Sequence, residues 1–279
     1  MKGVRSLREM ARLLDVDQRL RRLCLIKTGE AAYPRSVLSR FTRKVGEDNL
    51  NKIIDEKVIL LLKSNQAKEV DIVLDASFIK AWSTRHPTDN QTGYSDAEAR
   101  VGRTGRTFGL GYKLHLSIDS ETMLPLSSMF ASANQNEKKH SLTILEKAKQ
   151  VLKNSGAKLR SVIADSQYSD AKLRMAVDKT VIPYPSNQKR GVKDVLRVDK
   201  KFRTHGPEDQ KEEYHKRTPI GAVNSFLKTQ YGMVLNRVRG LKQVASYALF
   251  SILCLVLNRE AAQNLGRPDK AVSPTYFNT

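Results

Sequence analysis

The chain has 279 residues, of which 40% are hydrophobic, so it can fill the core of one large or two small domains, and disorder is excluded. Only two cysteines are present, Cys24 and Cys254, which excludes a disulfide scaffold and fits a reducing cytoplasm. Lys and Arg total 49 against 29 Asp and Glu, and the net charge of +20 indicates a polyanionic partner, either nucleic acid or an anionic membrane.

The first 66 residues predict a small helical domain. Apolar residues recur at helical spacing from Ser6 to Leu14, and Pro34 suits the first turn of a second helix that Gly46 ends. A third helix is predicted over residues 49–64. Arginines are concentrated on the predicted exposed faces of the first two helices, which favours DNA binding in this region. The sequence begins abruptly inside this helical pattern, and one interpretation is that the N-terminus is shortened.

From residue 70 the pattern becomes that of a mixed α/β domain. Buried strands are predicted around Asp75 and over 159–165, and Trp82 is assigned to the core. Between these strands lie a glycine-rich loop and a hairpin, and further short elements follow. In chain order, the predicted elements other than the two buried strands are a loop over 83–107, hairpin strands over 112–119 and 124–133, helices over 137–155 and 170–178, and a short strand over 181–185.

The C-terminal part is predicted to be mostly helical from Thr218 to about residue 264, with a flexible tail over 265–279. Its most apolar stretch is 244–257, which is shorter than the roughly 20 residues of a membrane span. We therefore expect a buried helix and no membrane. The predicted domains are a helical DNA-binding region over 1–66 and a mixed α/β domain over 67–264.

Two acidic residues stand at the ends of apolar strands. Asp75 lies in IVLDASF and Asp165 in SVIADSQY, and a strand end holds a side chain with little freedom. On neighbouring strands, two such carboxylates suit Mg²⁺, and a pair of ions about 3.5–4 Å apart can clamp both reacting oxygens of a phosphodiester. The alternative is that each Asp caps the loop after its strand. His115 and His140 lack metal-ligand spacing, so they are assigned ordinary polar roles.

The segment YHKRTPIGAVNSFLK (214–228) places Tyr214, Arg217 and Lys228 at the spacings of a Tyr-x2-Arg-x3-Glu-x6-Lys signature. With LDASFIKAW, GYKLHLSID, ADSQY and RVRGLKQVASYALF, the chain resembles the DDE transposases of prokaryotic insertion sequences over roughly residues 3–260. The resemblance implies a ribonuclease H-like fold, two Mg²⁺ or Mn²⁺ ions and DNA strand cleavage and transfer. It makes Asp75 and Asp165 the first two acids of the catalytic triad.

The same resemblance implies double-stranded DNA partners, namely the terminal inverted repeats of the element and its target DNA. It also implies a homodimer, and we expect a cytoplasmic, nucleoid-associated protein. Tyr214, Arg217 and Lys228 are predicted to contact DNA phosphate or orient the site, the alternative being a solvated helix face. Arg100, Arg103 and Arg106 are predicted DNA-backbone contacts, since their glycine-rich segment lacks a nucleotide-binding pattern.

The departure from the signature is Gly221, which stands where the third acid is expected. Glu212 and Glu213 lie 8–9 residues upstream, about 12–13.5 Å along a helix, and would reach only by rearrangement. With Thr218 as the predicted N-cap, Gly221 falls at the third helical position and cannot complete a capping box. Three functions remain open: a transposase, a catalytically inactive DNA-binding relic, and, with little support, an unrelated basic nucleic-acid protein.

Overall fold

The computed structural model describes residues 6–105, 107–183, 208–235 and 237–272. The α-helices within these ranges are α1 (Leu7–Val16), α2 (Gln18–Leu23), α3 (Arg35–Ser64), α4 (Lys138–Ser155), α5 (Ala171–Met175), α6 (Glu208–His215), α7 (Thr218–Thr229) and α8 (Leu241–Asn264). The strands are β1 (Glu69–Lys80), β2 (Arg100–Thr104), β3 (Thr107–Asp119), β4 (Pro125–Ser132), β5 (Lys158–Ala164) and β6 (Thr180–Val181).

The strands form one mixed sheet in the order β2-β3-β1-β5-β6, and β4 pairs with residues 112–118 of β3, beyond the part of β3 that pairs with β2. Strand β1 is antiparallel to β3 and parallel to β5, so it is covered by a neighbour on both edges. Its side chains from Val70 to Leu74 are buried, as a central strand requires. Strands β1 and β5 therefore run side by side in the same direction, and both acidic residues lie beside the end of β5, although β1 continues to Lys80.

Strand β2 lies inside the segment predicted to be a loop, so that prediction is wrong over residues 100–104. The glycines that indicated a loop instead permit close packing of backbone against backbone. A Cβ built on Gly102 would lie 2.0 Å from the Ala133 carbonyl oxygen, and one on Gly111 would lie 2.1 Å from that of Ile79. Glycine thus marks close approach within this sheet rather than irregular chain.

Two long helices close one side of the core. Helix α3 is kinked at Gly46, whose φ of +67° belongs to the left-handed region, so the predicted helix break occurs there. Beyond the kink, Leu50, Ile54 and Val58 enter the same hydrophobic core as the sheet, and α8 packs against this part of α3. The N-terminal region therefore contributes directly to the core that supports β1.

Helix α8 is long and apolar enough, by length and composition alone, to cross a membrane, but half of its most apolar 18-residue window is buried within the protein. Its buried side chains include Val244, Leu249 and Leu255, which pack in the main core. Its N-terminal backbone amides at Gly240 and Leu241 donate to the carboxylates of Asp96 and Glu98. These contacts agree with the prediction of a buried helix.

Trp82 was predicted to lie in the core and does not. Its side chain is 49% exposed, and it lies in the irregular segment that follows the end of β1. The Arg237 guanidinium stacks over the indole ring, 5.4 Å from its centre, and Arg239 donates to the Trp82 carbonyl oxygen. Trp82 is therefore a surface residue beside two arginines.

Candidate active site

The two aspartates lie next to each other, although only Asp165 stands at a strand end, because β1 stays paired with β3 beyond Asp75 as far as Lys80. Leu74 of β1 pairs directly with Ala164 of β5, so Asp75 and Asp165 follow paired residues on parallel neighbours. Their side chains are 19% and 26% exposed respectively, which leaves each carboxylate an opening to solvent. Asp165 Oδ1 also accepts from the Gln167 backbone amide at 3.0 Å, so the loop-capping alternative holds for one of its oxygens.

Arg217 connects these two carboxylates. Its Nη2 lies 3.1 Å from Asp75 Oδ1 and 3.7 Å from Asp165 Oδ2, so one guanidinium neutralises part of both charges. Burial raises the pKa of Asp75, with Arg217 opposing it, and burial together with the neighbouring Asp75 charge raises the pKa of Asp165. The two mutually repelling carboxylates supply oxygen ligands, which are the ligands that Mg²⁺ and Mn²⁺ prefer.

Helix α7 presents one face to this pair. Positions 217, 221, 224 and 228 recur at intervals of three and four residues, so they lie on the same side of the helix. Asn224 Nδ2 donates to Asp75 Oδ2 at 3.0 Å. Lys228 lies further along this face, where burial lowers the pKa of its ammonium group and the Asp75 charge opposes that shift. Tyr214 precedes α7 and packs against the hydrophobic core.

Gly221 occupies the middle of this face. It is exposed, its backbone is helical, and a Cβ built on it meets no atom within 4 Å among the described residues. The predicted N-cap at Thr218 is wrong, because Arg217 already has helical dihedral angles and takes the capping position. Gly221 is therefore the fourth helical residue, the capping-box argument does not apply, and the position has room for a longer side chain.

The upstream acids do not substitute for the missing one. Glu213 forms an ion pair with Lys179 beside β6, and Glu212 is exposed on α6. The turn at Lys216 and Arg217 separates α6 from α7, so these side chains lie off the face that meets Asp75. In the part of the chain that the structure describes, no group of three or more His, Cys, Asp or Glu side chains is placed to hold a metal ion.

The predicted DNA-backbone arginines lie away from the carboxylate pair. Arg100 and Arg103 are on β2, which β3 separates from β1. Arg100 Nη1 donates to the carbonyl oxygens of Ala97 and Ala99, and Arg103 Nε donates to that of Gly105 at 2.9 Å. Arg106 lies outside the described residues. The structure therefore brings Arg217, Asn224 and Lys228 to the site but leaves Arg100 and Arg103 on the sheet edge.

Asp71 is a buried acid that the sequence did not single out. It lies four residues before Asp75 on β1, is 3% exposed, and accepts from Arg160 Nε at 2.8 Å, Ser161 Oγ at 2.7 Å and Lys216 Nζ at 2.9 Å. Burial alone would raise the pKa of Asp71, but these three hydrogen bonds hold it well below its usual value. Since Lys216 precedes Arg217, Asp71 fixes the start of α7 against β1.

A second buried polar cluster lies behind the aspartates. Lys113 and Glu137 form an ion pair at 2.6 Å, and Tyr168 OH lies 3.1 Å from His115 Nδ1. The His115 ring also contacts that of His140, with centroids 4.8 Å apart, and His140 Nε2 lies 2.7 Å from Gln135 Oε1. Both histidines are thus in contact with neighbouring polar groups.

His115 predicts a pH dependence of stability. The ring is fully buried, and burial, with His140 and Lys113 adding, lowers its pKa to about 3 from an ordinary 6.5. The folded protein therefore keeps His115 neutral while the unfolded chain takes up a proton below pH 6.5, so stability is full above that pH and falls as the pH drops toward 3. Between pH 6 and 4.5 we expect this group to contribute a slope of about 1.4 kcal/mol per pH unit.

Urea unfolding across this pH range measures the effect. His115→Asn should show a shallower dependence of the unfolding free energy on pH than the unmodified chain, while His215→Asn, at an exposed histidine on α6, should match the unmodified chain. Equal slopes for His115→Asn and the unmodified chain would show that His115 is not held neutral.

A mixed sheet with two adjacent carboxylates on neighbouring parallel strands, beneath a helix that brings Arg217 to them, defines an α/β protein with a paired-carboxylate site. The sequence profile of the family described as transposase DDE domain matches residues 66–258, which is more than half of the chain. The chain therefore belongs to the transposase DDE domain family.

A comparison with solved structures gives a remote match. The structure described as the cryo-EM structure of piggyBac transposase synaptic complex with hairpin DNA covers 95% of this chain and 68% of its own chain, at 10% identity and a TM-score of 0.45. A comparison with curated protein sequences finds no match.

Proposed function

We propose that the chain is an insertion-sequence transposase of the Tyr-x2-Arg-x3-Glu-x6-Lys group, with a ribonuclease H-like catalytic domain over 67–264. In this proposal, residues 1–66 hold DNA, residues 265–279 form a tail, and a homodimer acts on inverted-repeat ends and target DNA in the cytoplasm, at the nucleoid. The observation that carries it is the pair Asp75 and Asp165, joined by Arg217 of the signature segment, within a chain of the transposase DDE family.

The chemistry follows from what the residues at this pair can do. Asp75 and Asp165 would hold Mg²⁺ or Mn²⁺, two ions being expected, and a bound ion neutralises phosphate charge and activates the attacking oxygen. The parallel strands fix both carboxylates, so little ordering is needed when DNA arrives. Arg217 holds the two charges together, and its guanidinium also suits bidentate contact with a phosphate. Lys228 adds a positive charge on the same helix face.

A catalytically inactive DNA-binding relic is the second candidate, and Gly221 favours it. No acidic side chain stands at that position, and among the described residues none of the upstream acids replaces it. The chain with Gly221 has a net charge of +20, so the relic would keep its affinity for DNA. Such a protein would compete for element ends without cutting them.

Duplexes copied from the DNA that flanks the gene test both candidates. We expect salt-dependent binding to duplexes that carry the inverted repeats, and Mg²⁺- or Mn²⁺-dependent strand cleavage if the chain is active. Asp75→Asn and Asp165→Asn should each reduce cleavage at least about 100-fold, since the metal contributes several kcal/mol, while leaving binding in place. Asp48→Asn, at an exposed acid of α3, is the matched control.

The outcomes separate the two candidates. Binding without cleavage by the unmodified chain supports the relic. Cleavage that survives both active-site substitutions contradicts the assigned site, and an absence of binding to these duplexes contradicts both candidates.

A further inference from the structure

Asn224 is the most buried polar side chain that α7 turns toward the aspartates. It is 7% exposed, although the helix carries it to a site that must meet solvent and DNA. Its hydrogen-bond partner Asp75 is 149 residues away in sequence. A buried amide beside a carboxylate pair needs an explanation, because buried polar groups normally have hydrogen-bond partners.

Only one end of this amide is used. Nδ2 donates to Asp75 Oδ2 at 3.0 Å, whereas Oδ1 is buried and accepts no hydrogen bond from the described residues. An amide carries both a donor and an acceptor, and a half-turn of the group about its last torsion exchanges them. Asn224 can therefore present either its NH₂ group or its oxygen to the space beside Asp75.

We propose that Asn224 Oδ1 is the third protein oxygen ligand of a divalent cation held by Asp75 and Asp165, at a site where Gly221 offers none. This inference rests on the proposed function, because it takes the aspartate pair as a metal site. Amide carbonyl oxygens are accepted ligands of hard cations. The resulting ligand set carries two negative charges instead of three, so the site binds its cation more weakly than one with a third carboxylate.

One substitution distinguishes a metal ligand from a hydrogen-bond donor, because the two roles predict different effects on cation affinity. Asn224→Asp keeps an oxygen at the same place and adds a charge, but removes the NH₂ donor and sets a second carboxylate against Asp75. If Asn224 is a ligand, this variant gains cation affinity. If Asn224 only positions Asp75 by donating to it, Asn224→Asp is no better than Asn224→Ala.

Manganese binding to the full chain without DNA tests the proposal, read by electron paramagnetic resonance titration and by the shift of the melting temperature with Mn²⁺. We expect Asn224→Ala to raise the dissociation constant at least about tenfold, by analogy with the loss of groups that support a metal. Asn224→Asp should bind more tightly than the unmodified chain and show a larger melting shift. Asn154→Ala, at an exposed amide of α4, should change neither.

Asp75→Asn separates the inference from the function on which it rests. If Asp75→Asn abolishes Mn²⁺ binding but Asn224→Ala does not weaken it, or Asn224→Asp is no tighter than Asn224→Ala, the ligand role of Asn224 is wrong and the metal site stands. If Asp75→Asn binds Mn²⁺ like the unmodified chain, the metal site itself is wrong.

Discussion

Gly221→Glu is expected to raise Mg²⁺- or Mn²⁺-dependent cleavage of element-end DNA at least about 100-fold over the unmodified chain. The position lies on the α7 face that meets Asp75, between Arg217 and Asn224, and has open space around its Cβ direction. A Glu there adds a third carboxylate to two that are already in place. A metal ligand gained at the reacting centre supplies several kcal/mol, and each 1.36 kcal/mol is about tenfold in rate.

Two further substitutions at the same position control for effects on the helix. Gly221→Ala should raise the unfolding free energy by up to about 1 kcal/mol, because glycine is unfavourable in a helix, without restoring cleavage. Gly221→Gln adds the length of Glu without its charge and should restore little. If the unmodified chain cleaves as well as Gly221→Glu, the third acid is not what this copy lacks.

Asp71→Ala is expected to lower the unfolding free energy by about 2–3 kcal/mol near neutral pH. The carboxylate is buried and accepts from Arg160, Ser161 and Lys216, so its removal leaves two positive charges without their partner. Loss of one partner from a buried ion pair costs about 3–5 kcal/mol. We expect the lower cost of about 2–3 kcal/mol for Asp71→Ala, because the Arg160 and Lys216 side chains are nearly half exposed and can rehydrate.

The pH dependence of this cost is a further check on Asp71. Its pKa is held below the usual 3.8, so its contribution is full above that pH and is lost as the pH falls below it. Urea unfolding at pH 7 and at pH 3 should therefore show a smaller cost of Asp71→Ala at the lower pH. Glu146→Ala, which removes an exposed partner of Lys149 on α4, should cost less than about 0.5 kcal/mol. A cost for Asp71→Ala as small as that of Glu146→Ala would contradict the anchoring role.

The aspartate pair is the part of the site that sequence predicts best. Short apolar runs that end in an acid predict strand ends, and this is correct for Asp165, which directly follows β5. It is wrong for Asp75, because β1 continues to Lys80, yet the two acids follow paired residues of parallel strands. Arg217 followed from its place in the signature segment. Its predicted contact with DNA stays a prediction, as do those of Tyr214, Lys228, Arg100, Arg103 and Arg106.

Other features are set by contacts that no local pattern reveals. Asn224 and Asp71 read as ordinary polar residues, and only the docking of α7 on β1, across some 145 residues, gives them a role. Strand β2 was missed because its glycines look like loop residues, although they allow close strand contact. Trp82 is predicted to lie in the core, but it follows the end of β1 and is exposed beside Arg237.

A cation at the aspartate pair is the central claim, and anomalous X-ray diffraction from crystals grown with Mn²⁺ tests it most directly. The prediction is an anomalous peak between the carboxylates of Asp75 and Asp165, with the Arg217 guanidinium moved from its bridging position. Saturating Mn²⁺ with no peak there, and with Arg217 still bridging both aspartates, would contradict it.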